Sequence, residues 1–428
     1  MWERFSYYGM RALLVLYMVE YLLKPEIAGG VLGLASLKRA LEVLSGPLGI
    51  QPLASLIYGL YTGLVYLTPV LGGILADRWV GRTPMVIVGA MLMVAGHFMM
   101  AFEHLFLLAL VLLILGNGAF KPNISTQVGD LYAPDDPRRD RAYSVFYVGI
   151  NVGAFFSPLV CGALGENVGW HYGFASAGVG MAVGLAIYLA GLPRLPKQQF
   201  RNTPVAAGKS ATPELGKVLA GLLILLLPST LFWAAYEQQG NTIALWIEQT
   251  TDRRLDLLFW HGELPASSFQ AINPLMIFVF TPPLIACWSR WARVGREPST
   301  IAKMAIGCVL LGAAYLVMAA AAWSGAPTSA SMLWLLLYFA ILTIGELYFS
   351  PISLSLVANL APTMSRSTAM GIWLSTSFLG NIAAGFIGSF WSTLSHFSFF
   401  LLLAALGIAA AGAIHLARPA LRALLPEM

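Results

Sequence analysis

The apolar positions of this chain come in long unbroken blocks, not in the alternating or one-in-three patterns of soluble strands and helices. A helix needs roughly 20 mostly apolar residues to cross a bilayer. Blocks of that kind cover 3–23, 52–76, 83–101, 105–132, 142–165, 170–192, 217–247, 270–290, 300–323, 331–358, 367–392 and 395–418. The pattern therefore predicts an all-α polytopic membrane protein. Outer-membrane barrel strands are excluded, because a polar lumen face would make every second residue polar.

Short polar stretches separate the blocks. The longest runs from Pro193 to Gly216 and holds several Pro, Lys, Arg and Thr residues, which suits a linker between helical bundles. It predicts an N-terminal six-helix bundle over 1–193, a cytoplasmic linker over 194–216 and a C-terminal six-helix bundle over 217–428. A weak echo supports duplication. Gly72-Gly73-Ile74-Leu75-Ala76-Asp77-Arg78-Trp79-Val80-Gly81-Arg82 joins spans two and three, and Ser289-Arg290-Trp291 followed by Gly295-Arg296 joins spans eight and nine. Two such halves around a midplane site is a transporter plan.

Composition sharpens this. Of 428 residues 58% are hydrophobic and 11% charged, with a mean hydropathy of +0.74. Soluble domains carry about 25% charged residues, so soluble enzymes, nucleic-acid binders and disordered scaffolds are excluded. The net charge of +5 reflects loop charges. With a cytoplasmic N-terminus, the basic clusters Arg138-Arg139-Asp140-Arg141, Arg194 to Lys217 and Arg290 to Lys303 all face the cytoplasm, while the opposite loops hold Lys24, Lys38, Arg39, Arg253 and Arg254. This bias places both termini in the cytoplasm. Cys161, Cys287 and Cys308 lie inside apolar runs at no metal-ligand spacing and read as small buried hydrophobes. The start Met1-Trp2-Glu3-Arg4 runs straight into an apolar block, so no cleavable signal peptide is expected.

Three acids and three bases inside the spans carry the functional signal: Glu3, Glu237 and Glu346 with Arg4, Arg11 and Lys121. An ionised group near the bilayer centre costs a few kcal/mol on insertion scales, so such residues pair or line a wet cavity. The plain alternative is a set of fixed ion pairs tying helices together. At about 100° per residue, Glu3, Arg4, Tyr7, Tyr8 and Arg11 fall within an arc of about 140°, one polar stripe that must face the bundle interior. On span seven, Trp233, Glu237 and Asn241 recur at four-residue steps, as do Tyr143, Tyr147 and Asn151 on span five. Tyr143 also suits an interfacial aromatic, and Asn151 also suits ordinary interhelical hydrogen bonding. Lys121 sits in Gly118-Ala119-Phe120-Lys121-Pro122-Asn123, and Glu346 sits in Gly345-Glu346-Leu347-Tyr348-Phe349-Ser350-Pro351. Both contexts predict broken helices that line a cavity, with Lys121 and Glu346 free to pair across the halves.

These segments resemble the proton-dependent oligopeptide transporter family of the major facilitator superfamily. Glu3-Arg4-Phe5-Ser6-Tyr7-Tyr8-Gly9 matches the end of its E-x-x-E-R-F-x-Y-Y-G motif, and Phe146 to Phe155 resembles its span-five signature. Phe120 to Asn123, Trp233 to Gly240 and Gly345 to Pro351 match as well, and Gly72 to Arg82 resembles the superfamily's loop motif. The first acid of the family motif would precede Met1, so the chain is expected to begin inside the motif. Bacterial members often carry two additional helices between the halves, for which Pro193 to Gly216 is too short.

The resemblance implies a major facilitator fold and proton-coupled symport of di- and tripeptides by alternating access. It implies a monomer in a bacterial cytoplasmic membrane, with lipid around it, the proton as coupling ion and no cofactor or metal. Glu3, Arg4, Lys121 and Glu237 would serve proton coupling, with Arg11 paired to Glu237 until that acid is protonated. Lys121 and Arg11 would attract the peptide carboxylate. Glu346, with Asn151 and Asn273, would hold the peptide amino terminus. Tyr7, Tyr8, Tyr66, Tyr147, Trp233 and Trp373 would line side-chain pockets, whose aromatic walls accept varied side chains.

A relative carrying nitrate or another non-peptide solute is the nearest rival, but one anion would not need Glu346. A membrane-embedded enzyme would need a nucleophile or metal set, and His97, His104, His171, His261, His396 and His415 are scattered without ligand spacing. A passive channel is disfavoured by the two-half plan and the mixed charges.

Overall fold

A computed structural model describes residues 1–132, 136, 138–195, 213–257, 260–324, 329–359 and 366–424. The chain forms two compact units. The first comprises Met1–Asn202, Gly240–Ile247 and Arg253–Pro274; the second comprises Thr203–Gln239, Glu248–Asp252 and Leu275–Met428. Most of the expected linker, 196–212, lies outside the described residues.

The first unit is built from α1 (Trp2–Tyr17), the short α2 (Pro25–Ala28), α3 (Leu34–Ser45), α4 (Ile50–Leu75), α5 (Arg82–Met99), α6 (Phe106–Asp130), α7 (Arg138–Asn167) and α8 (Trp170–Gly191). Helix α1 packs against α7 and α8, while α6 packs against α4 and α5. Small residues set these distances. A Cβ at Gly72 on α4 would overlap the Gly118 carbonyl on α6, so only glycine lets the two backbones meet there. Tyr17 fills the far end of the unit, ringed by Tyr21, Phe106, Trp170 and Phe174.

Among the described residues, eleven helical segments are long and apolar enough to cross a membrane. Helix α1 is the exception among the expected spans. Its 16 residues rise about 24 Å, short of the roughly 30 Å hydrocarbon core, and they include Glu3, Arg4 and Arg11. A π-helical turn, Met18–Leu22, continues it.

The second unit holds α9 (Pro213–Tyr236), most of α11 (Ile272–Arg293), α12 (Thr300–Trp323), α13 (Met332–Asn359), α14 (Arg366–Gly388) and α15 (His396–Leu424). Helix α12 packs on α13 and α15, and α9 packs on α14 and α15. The two units share a packing detail. Gly89 on α5 abuts the Gly116 carbonyl and Phe120 of α6, and Gly307 on α12 abuts the Gly345 carbonyl and Phe349 of α13. The helix preceding each pair ends before a positive-φ glycine, Gly81 at 89° and Gly295 at 66°.

Three expectations need correction. Lys121 and Glu346 do not sit in broken helices: α6 runs through Pro122 and α13 runs through Pro351. Each proline removes one backbone donor, and nearby side chains bond back onto the helix carbonyls, Asn123 to Ala119 at 2.7 Å and Ser353 to Ser350 at 2.8 Å. The break falls in span seven, where a 3₁₀ turn over Glu237–Gly240 separates α9 from α10 (Thr242–Thr250). The shared face of Trp233, Glu237 and Asn241 assumed an unbroken α-helix, and the tighter 3₁₀ turn rotates Asn241 off that register. Finally, two stretches read as loops are structured. Residues 34–45 form α3, and β1 (Arg254–Leu257) pairs antiparallel with β2 (Trp260–Glu263), Arg254 opposite Glu263.

Candidate functional site

In the first unit, α1 turns its polar stripe inward. Glu3, Tyr7 and Arg11 are buried, as the one-sided stripe requires. The Arg4 Nε lies 3.0 Å from the Glu3 carboxylate, and Asn117 on α6 donates to the same carboxylate at 3.4 Å. The Arg4 guanidinium sits 5.9 Å from the Tyr7 ring centroid, and the Tyr7 and Tyr8 rings meet edge to face. Glu3, Arg4, Tyr7 and Tyr8 thus form one cluster.

One turn further on, the Arg11 Nε donates to the Tyr58 hydroxyl of α4 at 2.8 Å. The Lys121 ammonium of α6 stands 4.7 Å from the Tyr66 ring centroid on α4. A cation over an aromatic face is attracted by the ring quadrupole. Asn151 is buried, but its Nδ2 donates to the Tyr147 carbonyl of its own helix at 3.0 Å. Tyr147 is exposed, and Asn273 is buried in the first turn of α11.

In the second unit, Glu237 heads the 3₁₀ turn and is 1% exposed. The preceding residue, Tyr236, donates its hydroxyl to the Glu346 carboxylate and accepts from Gln239. Trp233 and Trp373 come together around Phe349, at 6.3 Å and 6.5 Å between ring centroids. Phe232 stacks on the same Phe349 ring at 3.9 Å.

A helix break buried this deeply leaves carbonyls that need donors. Tyr315 donates to the Ala235 carbonyl at 2.6 Å and receives a bond from Tyr338 at 3.0 Å. Gln238 donates across to the Ala384 carbonyl at 2.8 Å. The Tyr315 and Tyr338 side chains of α12 and α13 and the Ala384 carbonyl of α14 therefore hold the turn that carries Glu237.

Sequence reasoning missed Tyr58, Asn117, Tyr236 and Tyr315. Their signal was a polar group inside an apolar block, the same signal that picked out Asn151, but tyrosines also serve as ordinary core aromatics. Among the described residues no group of three or more His, Cys, Asp or Glu could hold a metal.

The POT family model matches residues 84–213 and 203–397. The peptide transporter YePEPT of Yersinia enterocolitica subsp. palearctica is 33% identical over 91% of this chain and 85% of its own length. The chain belongs to the POT family. Members of this family are transporters, not enzymes. A di-/tripeptide transporter of Lactococcus lactis subsp. cremoris is 33% identical over 87% of this chain and 84% of its own. An uncharacterised transporter, YclF of Bacillus subtilis, is 32% identical over 90% and 83%. The crystal structure of a peptide transporter POT with sulfate superposes with a TM-score of 0.81 at 29% identity, covering 99% of this chain and 93% of the other. A POT family transporter in complex with 5-aminolevulinic acid gives 0.82 at 26% identity, over 98% and 94%. The fold is that of the major facilitator superfamily, and the protein is integral to the membrane.

Proposed function

We propose that this POT family protein carries di- and tripeptides into a bacterial cytoplasm by proton-coupled symport with alternating access, as a monomer with both termini cytoplasmic and without a cofactor. One observation carries the reading. The first unit holds the intramembrane cations Arg4, Arg11 and Lys121, and the second holds the acids Glu237 and Glu346. A zwitterionic peptide needs both: a cationic environment for its carboxylate and a carboxylate for its ammonium group. The di-/tripeptide transporter of Lactococcus lactis supports this substrate class, and 5-aminolevulinic acid, bound by a structural neighbour, presents the same two charges.

Lys121 and Arg11 take the peptide carboxylate in this reading, and Glu346 takes the amino terminus with Asn151 and Asn273. Tyr7, Tyr8, Tyr66, Tyr147, Trp233 and Trp373 receive the side chains. The Trp233 indole N–H is buried with no hydrogen-bond acceptor among the described residues, which leaves a donor for the ligand. Glu237 is the acid that takes up and releases the transported proton, and Glu3 and Arg4, with Lys121, tune it. An acid held ionised by a nearby cation accepts a proton only when that cation is drawn away, and an incoming carboxylate does that. The two halves, 1–193 and 217–428, rock in alternating access.

The test is uptake of labelled dialanine into proteoliposomes with and without an imposed inward proton gradient. Gradient-driven accumulation is expected. Uptake indifferent to the gradient overturns the coupling, and no competition by di- or tripeptides overturns the substrate class.

A further inference from the structure

The connection between α1 and α4 carries a helix, α3, whose apolar side the protein covers only in part. At about 100° per residue, Val43, Ala40, Leu44, Leu37, Leu41 and Leu34 fall within an arc of about 180° on α3, while Lys38, Glu42 and Arg39 occupy the opposite side. One edge of the apolar arc is covered: Leu34 is buried, and Leu37 and Leu41 are half-buried. The other edge is bare, with Ala40 exposed and Val43 and Leu44 each 84% exposed. An amphipathic helix turns its apolar face toward whatever excludes water. Half of that cover is not supplied by this unit.

The bare edge is held at a fixed height. At the start of α3 the Leu32 N–H donates to the His104 carbonyl at 3.0 Å, and a Cβ at the positive-φ Gly33 would lie 3.7 Å from the Leu107 side chain. At its end the Glu42 carboxylate accepts the Leu48 N–H at 3.0 Å, just before α4 begins at Ile50, and pairs with Lys38 at 3.7 Å. Both ends are thus pinned beside the first turns of α6 and α4, two helices long and apolar enough to cross a membrane. The 12 residues of α3 rise about 18 Å, and with both ends at that level the axis runs along the membrane surface. Lipid begins at the same level. On α6, Leu108, Val111 and Leu115 are exposed at helical spacing from the first turn onward, an apolar row that faces acyl chains in a membrane-integral protein.

We propose that α3 is an interfacial membrane anchor. It lies in the headgroup region on the membrane face to which α1 leads, with Ala40, Val43 and Leu44 at the acyl boundary and Lys38, Arg39 and Glu42 turned to headgroups and water. A helix with one apolar and one charged face binds in the plane of the interface. Lipid suits the bare edge better than a second protein. The edge holds none of the aromatic side chains on which protein interfaces depend, and α3 begins beside the lipid-facing row of α6.

Two measurements on the full chain in lipid test it. Hydroxyl-radical labelling of the unsubstituted protein in nanodiscs is calibrated against a free peptide of residues 34–45 in buffer. Val43 and Leu44 should be modified at least fivefold more slowly in the protein. Both side chains are open in the structure, so rates equal to those of the peptide overturn the anchor. Spin labels identify the cover. Cys161 and Cys308 are buried, so a Cys287→Ser background leaves single Leu44→Cys and Ala35→Cys variants to be labelled, Ala35 being exposed on the charged side of α3. Collision rates with oxygen and with a water-soluble nickel chelate are then compared in liposomes. The oxygen-to-nickel ratio is expected to be at least threefold higher at 44 than at 35. Equal ratios overturn the proposal, as does a label at 44 that is immobilised and shielded from both reagents, the mark of a protein partner. Neither measurement needs peptide or a proton gradient, so the anchor stands or falls apart from the transport reading.

Discussion

Arg11 and Tyr58 are joined by a 2.8 Å hydrogen bond between α1 and α4, with the guanidinium donating to the phenol oxygen. This phenol fixes where an intramembrane cation stands. A hydrogen bond to a charged group contributes about 1.5–3 kcal/mol. Tyr58→Phe keeps the ring and deletes the bond, so peptide affinity should fall roughly tenfold, as about 1.4 kcal/mol is one decade. Competition binding in detergent with the variant and the parent protein measures it. Unchanged affinity would show that Arg11 is held by other contacts.

The Lys121 ammonium over Tyr66 sets up a graded series. Cation–π contacts are worth about 0.5–2 kcal/mol, and tyrosine and phenylalanine both supply the face. Tyr66→Phe should transport nearly as well as the parent, whereas Tyr66→Leu should lose several-fold in apparent affinity. Lys121→Ala, which deletes the charge itself, should abolish concentrative uptake. Initial rates over a range of dialanine concentrations separate the three.

Glu237 is the candidate for the transported proton. Glu237→Gln removes the titrating group and keeps the shape, so peptide counterflow should persist while gradient-driven accumulation disappears. Accumulation that survives in this variant would move the coupling acid elsewhere, with Glu3 and Glu346 as the next candidates.

Phe349 anchors the second unit, stacked on Phe232 at 3.9 Å and flanked by Trp233 and Trp373. Phe→Ala in a packed core costs about 3–5 kcal/mol. Phe349→Ala should lower the thermal midpoint in detergent by several degrees. It should also weaken binding of peptides with bulky side chains more than binding of dialanine, because it loosens both indoles. A uniform loss across peptides would mark Phe349 as purely structural.

Tyr315 supports the Ala235 carbonyl beside the span-seven break. Tyr315→Phe leaves that buried carbonyl without its donor, a loss of about 1–3 kcal/mol. Because the turn carries Glu237, the pH dependence of uptake should shift as well as the stability. A thermal shift with an unmoved pH profile would assign Tyr315 to folding alone.

Much of this protein is legible in its amino-acid order alone. Hydropathy is a local property, so the spans could be read directly, and the cost of charge in lipid singled out Glu3, Arg4, Arg11, Lys121, Glu237 and Glu346 without any coordinates. The arc shared by Glu3, Tyr7 and Arg11 likewise foretold their burial, because helical periodicity is local too. Proline misled for the same reason. Pro122 and Pro351 each remove one backbone donor, but whether a helix breaks depends on what neighbouring segments offer the freed carbonyls. The break fell instead at Glu237–Gly240, where Tyr315 and Gln238 supply donors. The partners came from the packing of distant segments: Tyr58 for Arg11, Asn117 for Glu3, Tyr236 for Glu346, and the amides of Ala266 and Ser267 for Glu166. Those choices join segments from 47 to 114 residues apart in the chain, and they are fixed by where glycines such as Gly72 and Gly162 let backbones meet, which no local pattern encodes.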